Sequence, residues 1–312
     1  MKYVGLQSQI WRNNTKSLLL LTLFPVMIFI LTWLFFYFTR DMEYDSIQLV
    51  HSRFIMTMPW ITIGVLIWFS IAFFTHTRMI QKATGSHALD RKDNKRVYNL
   101  VENVCISIGM KTPKINIIED DSLNAFASGI NEQSYTVSLS RGIINKLNDK
   151  ELEGVIAHEI SHIRNKDVRL LIVSIVFVGI FAFVSEMLFR TVLYGGGRSR
   201  SKDSKSNVPV IAIALGLAIL GYLLSMLFRF AISRKREYLA DAGAVDITKD
   251  PLALATALEK VSSDSRIEAV ERKDVAQLFI DNPGLKKKKL GLMGLFSTHP
   301  PIDKRIEILK QF

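Results

Sequence analysis

Four long stretches with almost no charge limit what this chain can fold into. Leu18–Phe38, Ile55–Thr75 and Val208–Phe228 contain no Asp, Glu, Lys or Arg, and Leu170–Phe189 contains only Glu186. Each is close to the ~20 residues that carry a helix across ~30 Å of hydrocarbon. They account for much of the 49% hydrophobic content of the 312 residues. Uncharged runs of this length are rare in the core helices of soluble proteins, so a multi-pass α-helical membrane protein is expected, with spans at about 18–38, 55–75, 170–189 and 208–228. The first stretch is too long for the apolar core of a signal peptide, and no small-residue cleavage site follows it, so it is expected to stay as an anchor. Pro25 should kink it mildly. Trp33, Tyr37, Trp60 and Trp68 include residues suited to the membrane interface.

The distribution of Lys and Arg gives an orientation. Lys2, Arg12 and Lys16 precede the first stretch, and Arg78, Lys82, Arg91, Lys92, Lys95 and Arg96 follow the second. Both flanks are therefore expected in the cytoplasm. The loop Arg190–Asn207 carries Arg190, Arg198, Arg200, Lys202 and Lys205, against that pattern. The depth of the second hairpin is therefore open: it either crosses twice or dips and returns. In both cases its two ends emerge on one side. The resulting organisation is a membrane hairpin over 1–75, a first catalytic part over 76–169, a second hairpin over 170–228 and a second catalytic part over 229–312.

The strongest chemical signal is His158-Glu159-Ile160-Ser161-His162. On a helix, positions i and i+4 share a face, so two imidazoles at this spacing can hold one metal ion with the glutamate beside it. Leu152, Val155, Ile156, Ile160 and Ile163 recur at helical spacing around the motif, and Asn148 or Asp149 supplies a cap. A catalytic zinc needs a third protein ligand and an open position. No further His-x-x-Gly-x-x-His pattern extends the motif, since Ile163-Arg164-Asn165-Lys166-Asp167 follows it. A carboxylate is thus the expected third ligand. Glu237 is the best placed, because His162 precedes the third apolar stretch by about as many residues as Glu237 follows the fourth. Asp241, one turn on from Glu237, can hold a ligating histidine through its other ring nitrogen.

The remaining segments supply a domain with its own core. Asp90–Gly109 reads as an amphipathic helix, and Lys114–Glu119 and Tyr135–Leu139 read as strands. Asp250 and Pro251 open a further helix. The overall class is α+β, mostly helical with a small sheet. Cys105 is the single cysteine and lies on an apolar helix face, which excludes an internal disulfide and fits a reducing compartment. The net charge of +11 suits contact with anionic membrane lipid; no motif points to nucleic acid. The run Lys286–Lys289 reads as a solvated loop or a lipid contact. Gly195-Gly196-Gly197 and the Ser/Lys/Arg tract after it read as a mobile loop open to self-cleavage.

These residues together resemble the HtpX family of membrane-integrated zinc metalloproteases, with a more distant likeness to CAAX prenyl endopeptidases. The resemblance rests on two leading spans, Asn124-Ala125-Phe126-Ala127, Val137–Gly142, the His158–His162 helix, a membrane hairpin, Glu237–Asp241, and Ser297-Thr298-His299-Pro300-Pro301 with Arg305. It implies a gluzincin-type domain in which His158, His162 and Glu237 bind one zinc, Glu159 is the catalytic base and Asp241 supports His158. It implies further that Asn124, Ala125, Phe126 and Ala127 form the edge that receives substrate, that His299 donates to the developing oxyanion, and that Arg305 steadies His299 or binds substrate. Members of the family degrade unfolded or misassembled membrane proteins at the bacterial inner membrane, with the site facing the cytoplasm. Two other readings are a zinc-binding adaptor whose site is closed by a fourth ligand, with His299 the residue to suspect, and a processing protease dedicated to one substrate.

Overall fold

The computed structural model describes residues 6–194, 208–231, 234–263 and 300–311. The Gly195–Gly197 loop, the Lys286–Lys289 run and His299 lie outside them. The described residues are mostly helical with one small sheet. In order it forms α1 (Leu6–Phe38), α2 (Ile47–Thr84), β1 (His87–Ala88), α3 (Lys95–Ser107), β2 (Lys114–Ile118), β3 (Ala125–Ser128), β4 (Thr136–Ser140), α4 (Arg141–Lys146), α5 (Asp149–Arg164), α6 (Asp167–Tyr194), α7 (Val208–Ala231), α8 (Arg234–Thr248), α9 (Pro251–Ser263) and α10 (Ile302–Leu309).

Two compact units divide these elements. One comprises Lys16–Phe74 and Val173–Arg229. It is held by aromatic packing: Phe24 stacks on Phe177 with centroids 4.1 Å apart and meets Phe69 and Phe181 edge-on. Trp68 donates its ring N–H to Val176 O at 3.4 Å. Large apolar side chains stay exposed along α2, among them Met56, Trp60, Leu66 and Phe74. Of the four apolar stretches, those within Ile47–Thr84 and Asp167–Met187 are long and apolar enough to cross a membrane. The other two, Thr22–Phe38 and Pro209–Ser225, are shorter apolar helical stretches among the described residues.

The other unit draws on Met1–Thr15, Thr75–Ile172 and Phe230–Phe312. Its sheet has the order β1-β2-β4-β3, with β2 and β4 parallel and β3 antiparallel to β4. Val97, Val101, Val104 and Cys105 of α3 share a buried core with Ile115, Ile117, Val137 and Leu139 of the sheet and with Leu152, Val155, Ile156 and Ile160 of α5. Helix α3 is shorter than its sequence pattern suggests. Asn94 accepts from the Val97 N–H at 3.1 Å and starts the helix there, while Gly109, at φ +64, follows its end.

α5 runs through the centre of this unit. Asn148 and Glu151 form a reciprocal capping box at its start. Buried Glu151 is also bound at 2.7 Å by Lys260 of α9. α5 packs most extensively against α8, and small residues make that approach close. A Cβ on Gly243 would lie 2.7 Å from Ser161 Oγ, and Ala157, Ala240 and Ala244 are fully buried nearby in the sequence of the two helices. This proximity places the acids of α8 against the histidines of α5.

Candidate metal centre

His158, Glu159 and His162 lie on one side of α5, buried or nearly so. Glu237, in the first turn of α8, completes the cluster. His158 Nε2 is 3.2 Å from His162 Nε2. Glu237 places its two oxygens 3.7 Å from the first of these nitrogens and 3.6 Å from the second. The imidazole rings stand at 90° with centroids 4.7 Å apart.

Each histidine meets a carboxylate at its other nitrogen. His162 Nδ1 is bonded to Asp167 Oδ2 at 3.1 Å. His158 Nδ1 is 2.9 Å from Asp241 Oδ1, though away from the in-line direction of an Nδ1–H bond. A proton on Nδ1 facing a carboxylate leaves Nε2 as a bare lone pair. Two such lone pairs and a carboxylate then converge with separations of 3.2, 3.6 and 3.7 Å, an arrangement that a shared cation would stabilise. Tetrahedral bonds of ~2.0–2.1 Å put neighbouring donor atoms about 3.3 Å apart, near the spacing seen here. Two imidazoles and a carboxylate also form the donor set of a catalytic zinc with one position left open. The residues therefore fit a zinc ion.

The electrostatics agree. Burial pulls the basicity of His162 down, but the bond to Asp167 and the charges of Glu237, Asp167 and Glu159 push its pKa up to about 9. Those anions hold a proton on His162 that a metal ion would displace. Burial pushes Glu159 upward, opposed by the neighbouring histidines.

Asp241 is held by Arg305, which donates from Nε to Oδ2 at 2.9 Å and from Nη2 to Oδ1 at 2.7 Å. Burial raises the Asp241 pKa, but the charge of Arg305 outweighs it and brings the carboxyl to about 2. The same guanidinium reaches Glu237 Oε2 at 3.4 Å and His158 Nε2 at 3.4 Å. Arg305 is 1% exposed. It thus braces the site from within; its expected contact with His299 lies outside the described residues. Its placement follows from α10, whose Leu309 enters the shared core.

The expected substrate edge lies beside Glu159. β3 is the last strand of its sheet, and among the described residues it pairs only with β4. Ser140 N donates to Asn124 O at 3.0 Å, which fixes the register. The backbone groups of Phe126 face β4, and those of Ala125 and Ala127 face outward. The outward N–H of Ala127 faces the Glu159 carboxylate closely enough to oppose the upward push of burial on its pKa, and that of Ala125 is bound by the Asn124 side chain at 2.9 Å.

Sequence reasoning did not single out Asp167. It is the first acid after the motif and the first residue of α6, and the turn at Lys166, with φ 58, brings it back to His162. Arg236 donates to Asp167 O at 3.1 Å.

Comparison with known proteins places this arrangement. Peptidase family M48 matches residues 91–312. A protease HtpX homolog of Bacteroides fragilis is 58% identical over 323 residues, covering 100% of both chains. This chain belongs to the HtpX group of peptidase family M48. A protease HtpX homolog of Thermoanaerobacter pseudethanolicus is 35% identical and covers 96% of this chain and 95% of its own. Among solved structures, a crystal structure of S. mikatae Ste24p is similar over 96% of this chain and 66% of that one, with 17% identity and a TM-score of 0.48. By its family the chain is a membrane metalloprotease, which sets aside the adaptor reading.

Proposed function

We propose that the chain is a multi-pass zinc endopeptidase that hydrolyses unfolded, damaged or misassembled membrane proteins. The convergence of His158, His162 and Glu237, with Glu159 between them and the edge of β3, carries this reading. In the proposal His158, His162 and Glu237 hold one zinc per chain. Bound there, zinc would supply Lewis acidity toward the scissile carbonyl and would acidify water. Glu159 takes a proton from the attacking water and delivers it to the leaving amine. The Ala127 N–H keeps the Glu159 carboxylate turned toward the strand where substrate lies. Asp241 and Asp167 hold the Nδ1 protons of the two histidines, and Arg305 keeps Asp241 ionised.

Substrate would bind extended beside β3. Its N–H groups can donate to the outward carbonyls of Ala125 and Ala127. To gain a donor it must displace the Asn124 side chain. Both alanines are buried, so that edge must be uncovered first. Backbone pairing reads shape more than sequence, which suits a protease acting on many unfolded segments.

The four apolar stretches, with the exposed apolar side chains of α2, support a multi-pass membrane protein. The Lys and Arg flanks support a bacterial inner-membrane location with the site in the cytoplasm, and membrane lipid as a constant partner. His299, outside the described residues, keeps its proposed role as an oxyanion donor. Self-cleavage in zinc is expected at the Gly195–Gly197 region.

The test compares wild type with Glu159→Gln, purified in detergent with chelator, then given zinc and casein. Wild type should cleave and the variant should not, with one zinc bound per chain in both. Cleavage by Glu159→Gln at the wild-type rate would overturn the assignment of the base. Zinc retained by a Glu237→Ala variant at full affinity would overturn the ligand set.

A further inference from the structure

A cavity of about 590 Å³ opens beside the turn between α5 and α6. Its lining includes four cations, Lys111, Arg164, Lys166 and Arg169, and a single acid, Glu132, with Tyr135 among them. Several other cations of this unit are each paired with an acid: Arg96 with Asp149, Arg141 with Glu119, Lys260 with Glu151 and Arg305 with Asp241. Among the described residues none of the four cavity cations is in a salt bridge. Positive charge gathered around one opening, with one carboxylate to balance it, favours an anion there.

The backbone builds this gathering. Lys166 adopts φ 58, a left-handed conformation that is unfavourable for lysine. That turn lets Arg164, which ends α5, and Arg169, in the first turn of α6, line the same cavity. Leu170 follows Arg169 and begins the apolar run of a helix long enough to cross a bilayer. In such a helix the residues just before the apolar run lie at headgroup depth, where Arg, Lys and Tyr are the favoured side chains.

We propose that this cavity binds the phosphate headgroup of an anionic phospholipid. The proposal rests on α6 crossing the membrane, as put forward above. Arg164 and Arg169 provide planar, bidentate donors to phosphate oxygens. Lys111 and Lys166 add charge, and the Tyr135 hydroxyl can donate to a phosphate or glycerol oxygen. The same turn carries Asp167 onto His162. A bound headgroup would therefore stiffen a support of the metal site.

The test uses full-length protein in detergent, offered equal amounts of phosphatidylglycerol and phosphatidylcholine, with retained lipid read by native mass spectrometry. Wild type should keep one phosphatidylglycerol in preference to phosphatidylcholine. Arg164→Gln combined with Arg169→Gln should reduce that preference by about fivefold per cation removed. Arg164→Lys combined with Arg169→Lys should keep most of it. Glu132→Gln, which removes the one acid, should raise it by about the same factor. Equal retention of the two lipids by wild type overturns the proposal, as does an unchanged preference in the Gln variants. Should the double variant fail to fold, Glu132→Gln decides alone. Loss of the bound lipid to millimolar inorganic phosphate would make this a free-phosphate site and overturn the lipid assignment. Labelling of single cysteines at Lys150 and Glu186, in a Cys105→Ser background in sealed vesicles, reports on α6 separately. Both reacting from one side would sink the crossing of α6. A crossing α6 without lipid preference would sink the cavity proposal alone.

Discussion

The two histidines of α5 stand one turn apart, yet they are held by different kinds of structure. His162 is steadied by Asp167, five residues on, through a turn at Lys166. His158 is steadied by Asp241 of α8, which depends in turn on Arg305 of α10, 64 residues further along the chain. The first support is local, with Arg236 alongside it. The second is an ion pair closed off from water, with both partners more than nine-tenths buried. A local support needs only the right turn. A distant one needs the core to form first, and it couples the metal site to the stability of the fold.

Breaking the distant support should have the largest effect. Arg305→Met leaves Asp241 as a buried, uncompensated charge and should cost about 3–5 kcal/mol of stability. Thermal unfolding of the zinc-free protein would show this, and a variant melting with wild type would remove the asymmetry. Asp241→Asn and Asp167→Asn each weaken one histidine's hold and should lower zinc affinity about 10–100-fold. Chelator competition measures that effect. Asp241→Asn should also lower the melting temperature by stranding Arg305, and Asp167→Asn much less. Equal melting losses in the two would contradict the distinction between local and distant supports.

Gly243→Ala tests the helix approach beneath both supports. It should cost about 1–3 kcal/mol by pushing α8 from Ser161. Zinc affinity should fall with it, since Glu237 and Asp241 move together. Unchanged affinity in a destabilised variant would show that the acids adjust on their own. The smallest effect is expected at the partly exposed pair Lys310–Glu259, which joins α10 to α9 at 2.6 Å. Lys310→Gln should change stability by less than about 1 kcal/mol. A larger loss would mean that α10, and with it Arg305, is held by surface charge instead of by Leu309 in the core.

The same contrast explains what the sequence made legible. The His158–His162 helix was readable because its spacing, cap and apolar stripe are all local. Glu237 could be proposed because the apolar hairpin brings its two ends to one side. Arg305 could be noticed but not placed, since no periodicity says which buried acid an arginine will meet across a core. Asp167 was passed over although it lies close to the motif. Its role depends on a left-handed turn at a lysine, which residue preferences argue against. Helix α3 began later than its pattern because Asn94 caps it, and the strands β2 and β4 shifted by a residue at their ends. The neighbourhood of Glu159 and Ala127 was out of reach for a further reason. The register of β3 against β4 is set by pairing, and only the register decides which amides face outward.

The distance along the chain between the halves of the site has a consequence during synthesis. Arg305 and His158 are 147 residues apart. At ~5–20 residues per second, a ribosome needs roughly 7–30 s to travel from one to the other. For that interval the two histidines exist without the buried pair that orients the first of them, and for much of it without Glu237. The support of His158 is thus missing while the chain is being made, and forms only when α10 brings Arg305 to Asp241.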